Sequence, residues 1–220
     1  MKIKDLKRRI IAVYAGRFHP FHRGHAQAFH ELQSKFGADS TYIATSGKVE
    51  PNKSPFTFED KLVMISAALP GIGRDRIFEE TVPYAPVHLP QALGLDPDQD
   101  VLVFGVGGKD MAEDPRFTFL PLRDGTASYF QPYLKHENDL MPFSSAKVGG
   151  QRAGHGYIYP VKDYKFTVAG KTAGSASEIR QMFAASDEDT RRAIINDLYP
   201  EANAATQARI LGIFENRLAS

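Results

Sequence analysis

The sequence contains no cysteine. Disulfides, cysteine-ligated metals and thiol nucleophiles are thereby excluded, and a cytoplasmic setting is expected. Also missing is any run near the roughly 20 consecutive apolar residues that a membrane span needs, so no membrane partner is expected. Nor is there an excess of charge of one sign: 27 basic and 26 acidic side chains leave a formal charge of +1. That balance provides no broad field for holding DNA or RNA, so no nucleic-acid partner is expected and any phosphate site must be local. The basic start, Met1 to Arg9, leads into an apolar run too short for a secretory signal. Internal repeats and low-complexity tracts are absent.

What is present is an ordinary globular composition, 42% apolar and 24% charged, over 220 residues. This length suits one α/β domain with a buried core plus an insertion or tail. Ile10 to Ala15 is a β-branched apolar run ending at Gly16, which predicts a buried strand opening into a functional loop. A helix over 24–36 follows, stopped by Gly37, then a strand over 41–45 and a helix over 58–69 stopped by Pro70-Gly71. Strands are predicted at 76–80 and 101–105. The alternation implies βαβ units: a Rossmann-like parallel sheet with helices on both faces and ligands at the carboxyl ends of the strands. Residues 117–165 break the rhythm and read as an irregular insertion that includes short strands such as 157–159. A helix over 175–185 closes a main domain spanning 1–186. Residues 187–220 form a C-terminal helical extension, with helices at 187–199 and 201–218 separated by Pro200. In the last helix Gln207, Leu211, Phe214 and Leu218 share a stripe that packs on the main domain or against a second copy of the chain.

The most unusual stretch is Gly16-Arg-Phe-His-Pro-Phe-His-Arg-Gly-His25, three histidines and two arginines at the first strand-to-helix junction. A helix start has free N–H groups and partial positive charge, glycine lets the backbone approach a ligand, and Arg and His donate to phosphate oxygens. His19, His22 and His25 are spaced by three, which also admits a zinc site. Pro20 and Gly24 interrupt a continuous helix there, however, and no carboxylate run completes a ligand set, so no protein-held metal is assigned. Arg17 is a candidate phosphate clamp because its fork binds two oxygens at once. Lys48 or Lys53, after the second strand, is placed to neutralise a phosphate or to be a solvated surface lysine. A second cluster, Lys171-Thr-Ala-Gly-Ser-Ala-Ser-Glu-Ile-Arg180, offers a small-residue loop and N-cap, read as plain capping or as a second phosphate cradle. Gly105-Val-Gly-Gly108, followed by Lys109 and Asp110, is either a simple turn or a ligand contact. Tyr129, Tyr133, Arg152, His155 and Tyr157 suit a lid or an ordinary loop.

The first cluster together with Ser175-Ala-Ser-Glu-Ile-Arg180 resembles the paired signatures of the HIGH-type nucleotidyltransferase superfamily, the cytidylyltransferase-like enzymes. The first signature is most similar to archaeal-type nicotinamide mononucleotide adenylyltransferases, which usually have Gln where His19 stands. Lys53-Ser-Pro-Phe-Thr-Phe-Glu-Asp-Lys61 resembles their Asn-Pro-Phe-Thr segment. Their Asn-Arg-Tyr segment is missing, and the second half is more like divergent phage-encoded nucleotidyltransferases. The resemblance implies a nucleotidyltransferase domain over 1–186 that transfers AMP from ATP, supplied with Mg²⁺, to a phosphate-bearing acceptor and releases pyrophosphate. Nicotinamide mononucleotide is the leading acceptor. Phosphopantetheine, a flavin mononucleotide, a sugar or alcohol phosphate, CTP as donor, and binding without turnover are the alternatives. It further implies that His22, His25 and Arg180 are catalytic, with His22 and His25 on the triphosphate and Arg180, Ser175 and Ser177 on its β- and γ-phosphates. Gly24 would admit base or ribose, and Gly16, Arg17, Phe18, His19 and Lys53 would complete the nucleotide site.

Overall fold

The computed structural model describes residues 8–51, 53–114, 117–121, 123–125, 128–134, 136, 139–142, 156–173 and 175–218. The first strand, β1 (Ile10–Gly16), runs into helix α1 (Arg23–Phe36), then β2 (Thr41–Thr45), α2 (Phe58–Ala68) and β3 (Ile77–Glu79). A short helix, α3 (His88–Ala92), precedes β4 (Val101–Gly107) and α4 (Gly108–Glu113). Next come β5 (Phe130–Pro132), β6 (Gly156–Val161) and the pair β7 (Phe166–Val168) and β8 (Lys171–Ala173). Three helices close the chain: α5 (Ala176–Ala184), α6 (Glu188–Leu198) and α7 (Ala204–Leu218).

Six strands form one parallel sheet in the order β3-β2-β1-β4-β6-β5. The order reverses between β1 and β4, which opens a crevice at their carboxyl ends, the place where doubly wound sheets receive ligands. Side-chain alternation along β1 divides the core. Ile11, Val13 and Ala15 join Leu102, Phe104, Val106 and Ile158 on one face, whereas Tyr14 joins the cluster built by α1, α2 and α5 to α7 on the other. Both faces are covered, but unequally. Five helices lie on one face, while α3, through Leu89, and non-helical segments bearing Tyr84, Leu95 and Phe117 lie on the other.

Local chemistry sets the element ends. α2 begins in a capping box in which Thr57 Oγ1 accepts from Asp60 N–H at 3.2 Å and Asp60 Oδ2 accepts from Thr57 N–H at 2.9 Å. α1 stops at Gly37, whose φ of +90° favours glycine. Within 117–165, otherwise irregular where described, β5 and β6 enter the main sheet. Pro160 is tolerated there because of its register. The Ile158 carbonyl faces β5 and accepts from Tyr133 N–H at 3.0 Å. Two residues on, Pro160 faces the same side, beyond the last β5 residue, Pro132, so its missing N–H leaves no ladder bond unmade.

The C-terminal helices pack on the main domain: Ile194, Leu198, Tyr199, Ile210 and Phe214 are buried in the same core as Phe21, Phe56 and Phe183. Tyr199 Oη donates to the Phe21 carbonyl at 2.6 Å, and Arg217 Nε donates to Asp60 Oδ2 at 2.9 Å. The tail therefore braces the loop after β1 directly. No described helix is long and apolar enough to cross a membrane.

Candidate active site

The site begins where β1 ends. Phe18 adopts φ +48°, which folds its ring back over Gly16, where an added Cβ would lie 2.6 Å from that ring. Phe18 is buried and meets Tyr14, Phe21 and His25 with centroids 5.3, 5.1 and 5.0 Å away. Its ring packs edge-on against that of His25 and supports the turn that carries the histidines. Gly24 is required for a similar reason. A Cβ there would come within 2.9 Å of the Phe166 ring and 3.2 Å of the His22 ring, so glycine is what lets these rings close on the helix start. Phe166 reaches it from the β7–β8 hairpin, whose turn residues Ala169 and Gly170 both have positive φ, at 45° and 74°.

α1 starts on an unusual cap made of two imidazoles. His22 Nδ1 accepts from Gly24 N–H at 3.2 Å, and His25 Nδ1 accepts from His22 N–H at 3.3 Å. The rings stack with centroids 3.7 Å apart. With each Nδ1 acting as acceptor, the proton of each neutral ring sits on Nε2, leaving an Nε2–H on each to donate elsewhere. Burial holds His25 down to about 3 and His22 well below its ordinary value, the latter helped by His25 itself. Both are neutral donors at pH 7. The first turn of α1 carries no acidic residue, unlike those of α2, α5 and α6, so its positive end is uncompensated.

His19 is 4% exposed and lies parallel to Phe56 at 6.0 Å. Its Nδ1 accepts from Phe56 N–H at 3.3 Å, tying the loop after β1 to the segment before α2. Its Nε2 is, among the described residues, the one buried side-chain nitrogen or oxygen without a partner. Burial, reinforced by Lys61, Arg180 and Arg17, pulls its pKa down to about 3.

The second predicted cluster converges on the first. Ser175 caps α5, its Oγ accepting from Glu178 N–H at 3.2 Å, and Ser177, two residues on in the first turn, is exposed. Arg180, half-buried, sends Nη1 to the His19 carbonyl, joining residues 161 positions apart in sequence. Burial and the neighbouring Arg17 lower its pKa. Gly174 lies outside the described residues. The exposed Arg17 guanidinium and the Lys53 amine make no ion pair among the described residues, whereas Lys48 pairs with Glu50. Lys53 sits at the tip of the tight turn closed by Glu50 and Ser54.

Two expectations change. Gly107 and Gly108 accommodate the Asp163 carboxylate, whose oxygens would lie 2.9 Å from a Cβ on either glycine and which accepts from Lys109 N–H at 3.2 Å. This turn serves the chain's own carboxylate. Burial beside Asp163 raises the Asp110 carboxyl. Tyr133 and Tyr157 pack near the start of β6, with Phe36, Val103 and Leu140, at the opposite end of the sheet from the crevice, so they form no lid. Arg152 and His155 lie outside the described residues.

One buried cation was missed in the sequence: Lys61 of α2, fully buried, with Nζ donating to the Ser46 carbonyl. Its signal was present, a lysine on the helix face that also carries Met64 and Ile65.

A parallel sheet with an uncompensated helix start at its switch point, flanked by arginines, defines a nucleotide-binding α/β protein. The match to the cytidylyltransferase-like family model over residues 13–124, just over half of the 220 residues, places the chain in that family of nucleotidyltransferases. Its fold is similar to two structures of a bifunctional NMN adenylyltransferase/ADP ribose pyrophosphatase from Francisella tularensis. One, complexed with AMP and a Mn ion, is 16% identical at TM-score 0.50, covering 96% of this chain and 52% of that one. The other is 17% identical at TM-score 0.54, covering 96% and 53%. The chain therefore spans about half the length of these proteins. It is also similar to a Plasmodium falciparum nicotinic acid mononucleotide adenylyltransferase complexed with NaAD, at 15% identity and TM-score 0.47, covering 93% and 96%. No curated protein sequence matches the chain.

Proposed function

We propose that the chain transfers AMP from ATP to the phosphate of a mononucleotide acceptor, with nicotinamide mononucleotide giving NAD as the leading case. The observation that carries this reading is the convergence of the two phosphate-binding signatures: Arg180 bonds the backbone of His19, three residues before the histidine pair that caps α1. An acceptor phosphate oxygen attacks the α-phosphorus in line, a new P–O bond forms, the bond to the β-phosphate oxygen breaks, and pyrophosphate departs. No covalent enzyme intermediate is needed, so the work is positioning and charge stabilisation.

The geometry supports the following roles. The Nε2–H groups of His22 and His25 donate to phosphate oxygens as charge develops, and their neutrality keeps them donors without titrating near pH 7. Arg180, with Ser175 and Ser177, holds the β- and γ-phosphates; Arg17 and Lys53 meet the acceptor phosphate. The His19 Nε2–H, buried without a protein acceptor, suits a ligand oxygen. Gly16 and Gly24 act by permitting Phe18 and Phe166 to pack. Among the described residues no group of three or more His, Asp or Glu side chains fits a metal ion. Mg²⁺ enters with the substrate in this reading, as MgATP, held by phosphate and water oxygens. The domain over 1–186, with 187–220 as a brace rather than a second catalytic unit, is part of this proposal, as is a cytoplasmic setting.

The test is pyrophosphate release from MgATP or MgCTP with a panel of nicotinamide mononucleotide, its acid form, phosphopantetheine, flavin mononucleotide and sugar phosphates. Release with a nicotinamide-type mononucleotide and ATP supports the reading. Release with another acceptor or with CTP redirects the substrate while keeping the reaction class. Tight ATP binding without release from any pair rejects catalysis.

A further inference from the structure

We propose that Lys61 is a positioning residue for nucleotidyl transfer, its buried ammonium holding the corner after β2 and the loop after β1 in the geometry that presents Arg17 and Lys53 to the phosphates. This rests on the reading of the site given above.

Lys61 lies on α2 and is 0% exposed. Its Nζ donates to the Ser46 carbonyl and, at 3.5 Å, to Thr45 Oγ1. Thr45 Oγ1 in turn donates to the Arg17 carbonyl at 3.4 Å, and Ser46 Oγ accepts from Lys48 N–H at 3.1 Å. One cation thus ties the end of β2 to both loops that carry the free cationic side chains. Glu79, at the end of β3, closes the corner from the far side: its carboxylate lies where a Cβ on Gly47 would fall, 1.7 Å from Oε1.

Ammonium burial is costly, and Lys61 makes no ion pair among the described residues. An apolar side chain of similar length beside Met64 and Ile65 would avoid that cost but leave the Ser46 carbonyl without this donor. Local rules broken in this way mark functional sites. The groups facing the ammonium are Glu79 from β3, Arg17 and His19 from the loop after β1, and Asp60 from its own helix. Burial pulls Lys61 down to about 8 against the pull of Glu79, with Arg17 lowering it further and Asp60 opposing. The ammonium is therefore present at neutral pH and is lost as pH rises through that value.

The experiment compares Lys61→Met and Lys61→Arg with the unsubstituted chain, by thermal melting and by kcat/KM for pyrophosphate release between about pH 6 and 9.5. Lys61→Met is expected to lose about 10- to 100-fold in kcat/KM, with the alkaline fall near pH 8 abolished, and its melting point reads the balance between the relieved buried charge and the lost donor to the Ser46 carbonyl. Lys61→Arg, which stays charged, is expected to recover part of the rate and to shift the fall upward. A Lys61→Met protein with the parent's rate and pH profile overturns the proposal. So does one that is slower but keeps the parent's alkaline fall, because the charge then has no part in the rate. If the parent releases no pyrophosphate with any acceptor, the catalytic reading fails separately. MgATP affinity by calorimetry then decides about Lys61: weaker binding in Lys61→Met sustains its positioning role, and equal binding ends it.

Discussion

Between pH 7 and 5, acid should weaken this protein chiefly through three histidines. His19, His22 and His25 each use Nδ1 to accept a backbone N–H, from Phe56, Gly24 and His22, at 3.3, 3.2 and 3.3 Å. Protonating any of them would set an N–H against an N–H in a buried site. Burial accordingly holds His19 and His25 down to about 3, with His22 displaced in the same direction. The unfolded chain takes up a proton at each near pH 6.5, so between about pH 6.5 and 3 it binds more protons than the fold. Stability from this source is complete above that window and falls as pH drops through it. From pH 7 to 5 each histidine at about 3 removes about 2 kcal/mol, so His19 and His25 together remove about 4 kcal/mol, and His22 adds to the loss. That is a large share of the ~5–15 kcal/mol by which domains are ordinarily stable. Urea unfolding at several pH values would show the midpoint falling steeply below about pH 6, and NMR of the imidazole C–H signals would show three rings not titrating near 6.5. A midpoint constant from pH 7 to 5, or all seven histidines titrating at ordinary values, would refute the neutral-cap geometry.

Three substitutions extend the reasoning. His25→Ala removes one Nε2–H donor and half of the α1 cap; the expected loss is about 10²- to 10³-fold in kcat with about 1–2 kcal/mol of stability, and unchanged kcat in a folded variant would contradict the donor role. Tyr199→Phe deletes the hydroxyl that donates to the buried Phe21 carbonyl at 2.6 Å, which should cost about 1–3 kcal/mol in denaturant unfolding; no change would mean that the tail does not brace the loop. Gly24→Ala drives a methyl to 2.9 Å from the Phe166 ring, so Tm should fall and ATP affinity with it, whereas a neutral effect would show that Phe166 moves aside freely.

How much of the site was legible in sequence depended on the range of the interaction. The run Gly16 to His25 announced itself because a strand, a glycine and a helix start with clustered donors are all local. The same run concealed which atoms do what. That His22 and His25 spend Nδ1 on the helix cap, and that Phe18 folds under them, depends on backbone angles. That Gly24 also makes room for Phe166, from a hairpin far along the chain, depends on tertiary packing. Gly107 and Gly108 looked like a cradle until Asp163 arrived beside them. Lys61 was passed over because a lysine is ordinarily solvated, and only packing shows that this one is not.

By itself the sequence determined the alternation of strands and helices, their caps and stops, and the chemical character of the two clusters, since periodicity, glycine and proline act over a few residues. Tertiary structure decided the rest. The position of β6 between β4 and β5, the bond from Arg180 to His19 and the burial of Lys61 all join segments far apart in the chain. The energies of burial and hydrogen bonding that fix such pairings exist only once the sheet has brought those segments together.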